Sequence, residues 1–424
     1  MQGGRHDVIV VGGGPAGSVV AGTLARAGLC VVVLEKELFP RFHLGESLLP
    51  MSLEVLDDLG VTPKFEARFI RKHGARFLEG AGGEEVSFKF ANAVREGRPY
   101  AFHGPRAEID HVLLEHAAEL GADVRQGWLV RGFSDDGRPG NAVVVRRPDG
   151  VEERMSARMV VDASGRDALA ARRPGMKIKI PRLERTLAVF SHYDGCQRLA
   201  GTDEGDIRIV IVKEGWFWVI PFRGDRTSVG VVLEPGSVAR AAAIGLDPLL
   251  AEVIAAYPVM RDIMRGAKQV FPARAAADFS YRVAEASGNG WLCVGDAAGF
   301  IDPLFSTGFH LAVRGGALAA ASIESAFACG DFSPSRWALY EQMVKKACDT
   351  YVGVVQAFYQ GSLVELLFET KKRDMMRKLV TSVLAGDVFH EEEPRWLREM
   401  QRRFPPVLFP PAAEAPVDAG SALE

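Results

Sequence analysis

The 424-residue sequence predicts an α/β protein: a glycine-turn βαβ unit interleaved with a mixed β-sheet and followed by a helical C-terminal region. Three observations carry that expectation. An apolar strand, His6 to Val11, runs into Gly12-Gly13-Gly14-Pro15-Ala16-Gly17 and then a small-residue, helix-forming stretch, Ser18 to Ala27. An apolar strand meets a small-residue turn twice more, at Met159-Val160-Val161-Asp162-Ala163-Ser164-Gly165 and at Trp291-Leu292-Cys293-Val294-Gly295-Asp296. Between these blocks the aromatic and β-branched run Trp216 to Leu233 has strand character, whereas 331–404 has helical character.

Composition narrows the function classes. With 48% hydrophobic residues the chain can bury a large core. A net charge of -3 provides no basic field for nucleic acid, so a nucleic-acid role is not expected. The five cysteines, Cys30, Cys196, Cys293, Cys329 and Cys348, form no CxxC pair and no metal-ligand spacing. They read as reduced, mostly core thiols of a cytoplasmic protein, with no metal site. The N-terminus lacks the charged and apolar regions of a signal peptide. No apolar run has the length of a membrane span, so stable membrane insertion is not expected. Val352 to Phe368 reads instead as a buried or pocket-facing helix, and Pro405 to Glu424, rich in Pro and Ala, as a flexible tail.

The first block has the order of a dinucleotide site. Gly12 permits a tight turn, Gly14 lets the backbone approach a pyrophosphate, and Gly17 lets helix and strand pack closely; the helix N-terminus, with Pro15 and Ala16, offers N–H groups to the anion. Val31 to Glu35 adds a second strand ending in an acid about 20 residues after the loop, the usual anchor of a ribose diol, with Lys36 beside it. There is one such fingerprint, and three strand-to-turn blocks converge on one ligand, which implies FAD in a GxGxxG-type, Rossmann-like fold. The expected division is 1–75, 100–175 and 285–330 for the FAD-binding domain, 76–99 and 176–284 for a β-sheet substrate domain, and 331–404 for the helical region.

Trp216-Phe217-Trp218-Val219-Ile220-Pro221 contains two of only six tryptophans, one residue apart. Strand alternation puts Trp216, Trp218 and Ile220 on one face, an apolar wall beside a reactive cofactor. Together with Phe300, Pro303, Ser306 and Gly308 (FxxPxxSxG), this WxWxIP run resembles the flavin-dependent halogenases of the class A flavoprotein family. The run Phe39 to Leu48 is similar to the segment after the second strand in the halogenase and geranylgeranyl reductase branch.

The resemblance implies roles residue by residue. Arg41, Ser47, Arg106 (ahead of a helix Ile109 to Leu120), Ala163, Ser164, Gly165, Asp296, Pro303 and Gly308 would contact FAD. The backbone of Thr307 and Gly308, opening a helix Phe309 to Ser322, would bind chloride or bromide. Trp216, Trp218, Ile220 and Pro221 would partition flavin from substrate, so that halide and not the aromatic meets the oxidant. Lys72, in Phe69 to Phe77, would hold the resulting hypohalous acid, or carry the halogen as a haloamine. His43, His310 and Glu341 read as ordinary packed or surface groups, and so does Asp278, although it lies near the region where a few relatives attach flavin covalently.

Tryptophan halogenases carry a glutamate directly before the Ser-Thr-Gly run; this chain has Phe305. The expected substrate is therefore an electron-rich phenol or pyrrole, free or tethered to a carrier protein, with reduced flavin supplied by a separate reductase. A single-component aromatic hydroxylase, a geranylgeranyl-type reductase and a flavin-binding module without catalysis are the alternatives. The C-terminal helices, with Phe358, Tyr359, Leu366 and Phe368, would roof the substrate cavity, close it, or pack on a partner.

Overall fold

A computed structural model describes residues 6–405 apart from 136–137, 182, 184–186, 235, 278–279 and 371–373. Asp278 and nearly all of the Pro/Ala-rich C-terminal stretch thus lie outside the described residues. The apolar runs found in the sequence form the middle of a six-stranded sheet. Its order is Ser287–Gly288, Trp291–Cys293, Met159–Asp162, Val8–Val11, Val31–Glu35, Asp123–Gln126. All its pairings are parallel except that of the short edge strand Ser287–Gly288. Parallel strands are covered on both faces, which is why these segments are continuously apolar.

A second, mixed sheet runs Lys268–Gln269, Leu187–Asp194, Arg226–Leu233, Gly215–Pro221, Ile207–Val212, Gly74–Glu79, Glu85–Lys89, with Arg274–Ala277 also paired to Leu187–Asp194. Its pairs are antiparallel except for Ile207–Val212 with Gly74–Glu79. Alternation along Gly215–Pro221 feeds two cores. Trp216, Trp218 and Ile220 join Phe77, Phe88 and Phe190 in a cluster shared with the C-terminal helices. Phe217 and Val219 face the opposite way, toward Leu249, Leu250 and Met260. The sheet is therefore sandwiched between two helical layers.

Several helix limits differ from the sequence expectation. The first helix spans Pro15–Arg26, because proline's fixed φ suits the first helical turn and its missing N–H is not needed there. Arg106 begins the helix Arg106–Glu119 rather than preceding it. The helix after the Ser-Thr-Gly run is longer than expected, Thr307–Cys329. The stretch 352–368 is divided: one helix, Ala338–Tyr359, ends ahead of Gly361, whose φ of 84° is left-handed, and a second spans Ser362–Glu369. The cysteines are all free, but only Cys196 and Cys293 are buried; Cys30 and Cys329 are exposed and Cys348 is half-buried, a correction to the core-thiol expectation. Among the described residues no helix is long and apolar enough to cross a membrane.

Candidate active site

The glycine loop owes its shape to steric exclusion. Gly12 has φ +103°, and a Cβ there would strike the Ala163 carbonyl; one on Gly17 would strike the Gly12 carbonyl. Close approach of the first two turns is possible only without those atoms. Glu35, buried at the end of its strand, accepts the Gly13 N–H (2.7 Å) on one oxygen and the Glu37 N–H (2.8 Å) on the other. Each oxygen keeps a free lone pair for a ribose hydroxyl.

A cleft of about 350 Å³ runs from this loop to the mixed sheet. Gly12, Gly14, Pro15, Ala16, Glu35 and Lys36 line one end, and Ala163, Ser164, Gly165 and Asp296 line its side. Lys36 is tied to Asp167 at 2.6 Å. Arg41 and Arg106, both on the cleft, share the buried carboxylate of Asp110, at 2.9 Å and 2.8 Å. Their charge therefore holds Asp110 below the usual carboxylate range despite its burial, which acts in the opposite sense. Arg106 is thus a buried residue, not a surface one. Arg41 reaches over Gly14, where a Cβ would lie 3.7 Å from its Nη2. A helix N-terminus, a bare glycine and a guanidinium suit a pyrophosphate, and the loop, the acid and the arginines fit FAD.

At the other end the cleft meets Trp216, Trp218 and Ile220, with Ala188 and Ile207 beside them. The two indoles are 6.0 Å apart at 51°. Trp218 Nε1 donates to Ser228 Oγ (3.1 Å) and Trp216 Nε1 to Tyr359 Oη (3.2 Å). Pro221 ends the strand and is buried but does not line the cleft. Pro303, Leu304, Ser306, Thr307 and Gly308 line it as well. Ser306 has a left-handed φ of 57°, a strained conformation for a serine, and caps the helix whose first N–H groups, those of Thr307 and Gly308 among them, have no intrahelical partner. Such a turn binds small anions. Asp296, on the same rim, is raised to about 6 by burial, against the pull of Arg106 and Arg166.

Lys72 does not line the cleft. It is 2% exposed, at the end of Ile70–Lys72, and donates from Nζ to Ser47 Oγ (2.9 Å) and Leu48 O (3.2 Å), with Phe90 5.3 Å from the ammonium. Burial drops its pKa to about 7, partly countered by Asp206. Ser47 does line the cleft, so the amine sits one side chain behind its surface. His43 is on the rim, lowered to about 4 by burial and by Arg106. His310 and Glu341 lie away from it, bonded to Ser52 and Ser287. Phe305 is buried against Phe358, 6.1 Å away, within the cluster that holds the two tryptophans.

Sequence reasoning missed two polar groups. Glu46 lines the cleft, fully buried, with Oε1 at 2.7 Å from His192 Nε2 and, among the described residues, no partner for Oε2. It stands inside the Phe39 to Leu48 run, where a polar residue between Gly45 and Ser47 was the available signal. Asp302, inside FxxPxxSxG, accepts Leu304 N–H (2.9 Å) and the Tyr359 hydroxyl (3.1 Å). Its partner is 57 residues away, and no local pattern points to it.

The FAD binding domain family matches residues 5–345. The chain is 33% identical over 408 residues to a 1H-pyrrole-2-carbonyl-[peptidyl-carrier protein] chlorinase of Pseudomonas fluorescens, covering 91% of this chain and 90% of that protein. The chain belongs to the flavin-dependent halogenases. This halogenase is also 33% identical over 357 residues to a tryptophan 2-halogenase of Chondromyces crocatus, with 83% of this chain and 67% of that protein covered. Its fold superposes on the flavin-dependent brominase Bmp2 with a TM-score of 0.84 at 26% identity, over 94% of this chain and 98% of that one. It is an FAD enzyme of that class, with halide as co-substrate.

Proposed function

We propose that this halogenase chlorinates or brominates an electron-rich aromatic, a phenol or a pyrrole, by way of hypohalous acid guided by Lys72. Bound reduced flavin supplies, with O2, the oxidant that converts halide to hypohalous acid. The Thr307 and Gly308 N–H groups orient the halide. Trp216, Trp218 and Ile220 keep the aromatic and bulk water from the flavin. Once the Ser47 side chain that stands between it and the cleft turns aside, Lys72 Nζ holds the hypohalous acid by a hydrogen bond, and the aromatic exchanges a C–H bond for a C–halogen bond while its proton and the hydroxide leave as water.

The observation that carries this reading is the buried Lys72 amine, 2.9 Å from the cleft-lining Ser47 hydroxyl and held near 7. A solvated lysine would be an ammonium at that pH; this one is available as a neutral amine to a substantial degree. Phe305 favours a substrate that needs no carboxylate at that position, hence phenol or pyrrole over tryptophan. The similarity to a chlorinase of a carrier-bound pyrrole favours a tethered substrate. Reduced flavin comes from a separate reductase, in keeping with the single dinucleotide fingerprint.

Purified protein mixed with reduced FAD, O2 and chloride or bromide is expected to halogenate members of a panel of free phenols, free pyrroles and a pyrrole-loaded carrier protein. Hydroxylated products in place of halogenated ones, or NADPH oxidation by the protein alone on adding an aromatic, would overturn the proposal.

A further inference from the structure

The tryptophan wall is tied to a buried carboxylate through a tyrosine of the C-terminal region. Trp216 Nε1 donates to Tyr359 Oη at 3.2 Å, and Tyr359 Oη donates to Asp302 Oδ2 at 3.1 Å. Asp302 Oδ1 accepts the Leu304 N–H at 2.9 Å. The chain of bonds joins three separate parts of the sequence: the strand Gly215–Pro221, the turn that leads to Ser306, and the last residue of the helix Ala338–Tyr359.

The surroundings are apolar. Ile301, Leu304, Phe305, Phe358 and Trp216 belong to one buried cluster. Asp302 is 1% exposed, with two hydrogen bonds and no ion pair among the described residues. Burial lifts its carboxyl to about 7, the hydrogen bonds opposing that rise. A carboxylate in such a place costs stability, and an apolar residue of similar size would cost less. Its two oxygens orient neighbours, the Leu304 backbone on the cleft rim and the Tyr359 hydroxyl, whose lone pairs are thereby aimed at the indole N–H. An indole ring has one polar atom, so the bond at Nε1 fixes the polar edge of a ring whose faces are held by packing.

We infer that Asp302 and Tyr359 are a positioning pair for the tryptophan wall: the Tyr359 hydroxyl, oriented by Asp302, holds the Trp216 indole in the plane that separates the flavin cleft from the aromatic substrate. The inference rests on the proposed partition by that wall. Neither residue touches the reacting atoms; both act through Trp216. Loss of either lets the indole shift, so oxidant is lost as hydrogen peroxide or spent in direct attack on the aromatic instead of on halide.

The test compares wild type, Tyr359→Phe, which keeps the ring, and Asp302→Asn, with Trp216→Phe to assign the resonance. In 15N-tryptophan-labelled full-length protein, Tyr359→Phe is expected to shift the Trp216 indole signal and to speed its hydrogen exchange by about fivefold, the size of one net hydrogen bond. In turnover with reduced FAD, O2 and bromide, the ratio of brominated product to released hydrogen peroxide should fall, with FAD affinity unchanged. A general structural defect would lower FAD affinity and thermal midpoint together with the ratio, and that pattern would overturn the pair. Unchanged indole exchange in Tyr359→Phe would overturn it as well. Should wild type halogenate nothing, the functional reading fails on its own, and the exchange measurement, which needs no turnover, still decides whether the pair holds the indole.

Discussion

Gly230 lies directly across from Trp218 in the pairing of Gly215–Pro221 with Arg226–Leu233, and the indole fills the space that a side chain would take. A Cβ at Gly230 would collide with the Trp218 six-membered ring and would lie 2.6 Å from Phe190 Cβ. Gly230→Ala is therefore expected to cost about 1–3 kcal/mol by overpacking and to push Trp218 toward the cleft. FAD binding through the distant glycine loop should be weakened less than halogenation. Equal losses in a titration of FAD binding and in product yield would count against this account of the wall.

Lys72 ties stability to pH. Its folded pKa of about 7 lies below the usual lysine value of 10.5 because burial penalises the ammonium. Between those two values the unfolded chain binds a proton that the folded protein does not, so stability rises as pH rises from 7 toward 10.5. Each unit of difference is worth about 1.4 kcal/mol. Lys72→Met removes the buried charge and should flatten that dependence, raising the thermal midpoint most at and below pH 7. Thermal melts of both proteins across pH 6 to 10 (roughly the window that linkage defines) check it; parallel curves would argue against a buried, shifted amine.

Halogenation itself should rise through about pH 7 as the neutral amine forms. Lys72→Ala is expected to abolish it while FAD binds with unchanged affinity. Product formation at the wild-type rate would remove Lys72 from the mechanism.

Asp302 behaves in the opposite sense. Its carboxyl is raised from 3.8 to about 7 by burial, so its protonated form favours the fold below 3.8, and that contribution is lost as pH rises through 7. Asp302→Asn, neutral at every pH, should gain stability relative to wild type progressively as pH rises from 3.8 to about 7, and keep that gain above it. Denaturant midpoints that differ by a constant across the interval would contradict the shift.

Asp110 is the shared counter-ion of Arg41 and Arg106. Asp110→Ala leaves two guanidinium groups at the cleft without their buried partner, at a cost of about 3–5 kcal/mol, and should weaken FAD binding by letting both arginines turn. Chemical denaturation and a binding titration read the two effects separately.

The sequence determined by itself the glycine turn, the three strand-to-turn blocks, the acid at Glu35 and the face shared by Trp216, Trp218 and Ile220, because each follows from local steric rules or from the period of a strand. Helix limits were less legible: proline and left-handed glycine fixed them at Pro15 and Gly361, against the wider pattern of apolar residues. Only the tertiary structure decided that Lys72 stands behind Ser47, that Asp110 joins Arg41 to Arg106, that Glu46 meets His192, and that Tyr359 ties Trp216 to Asp302. These partners are far apart in the chain, and a hydrogen bond or a burial cost at long separation leaves no periodicity to read. The apolar face of the wall is written in the sequence, but its orientation is set by contacts that exist only once the sheet and the C-terminal helices have packed.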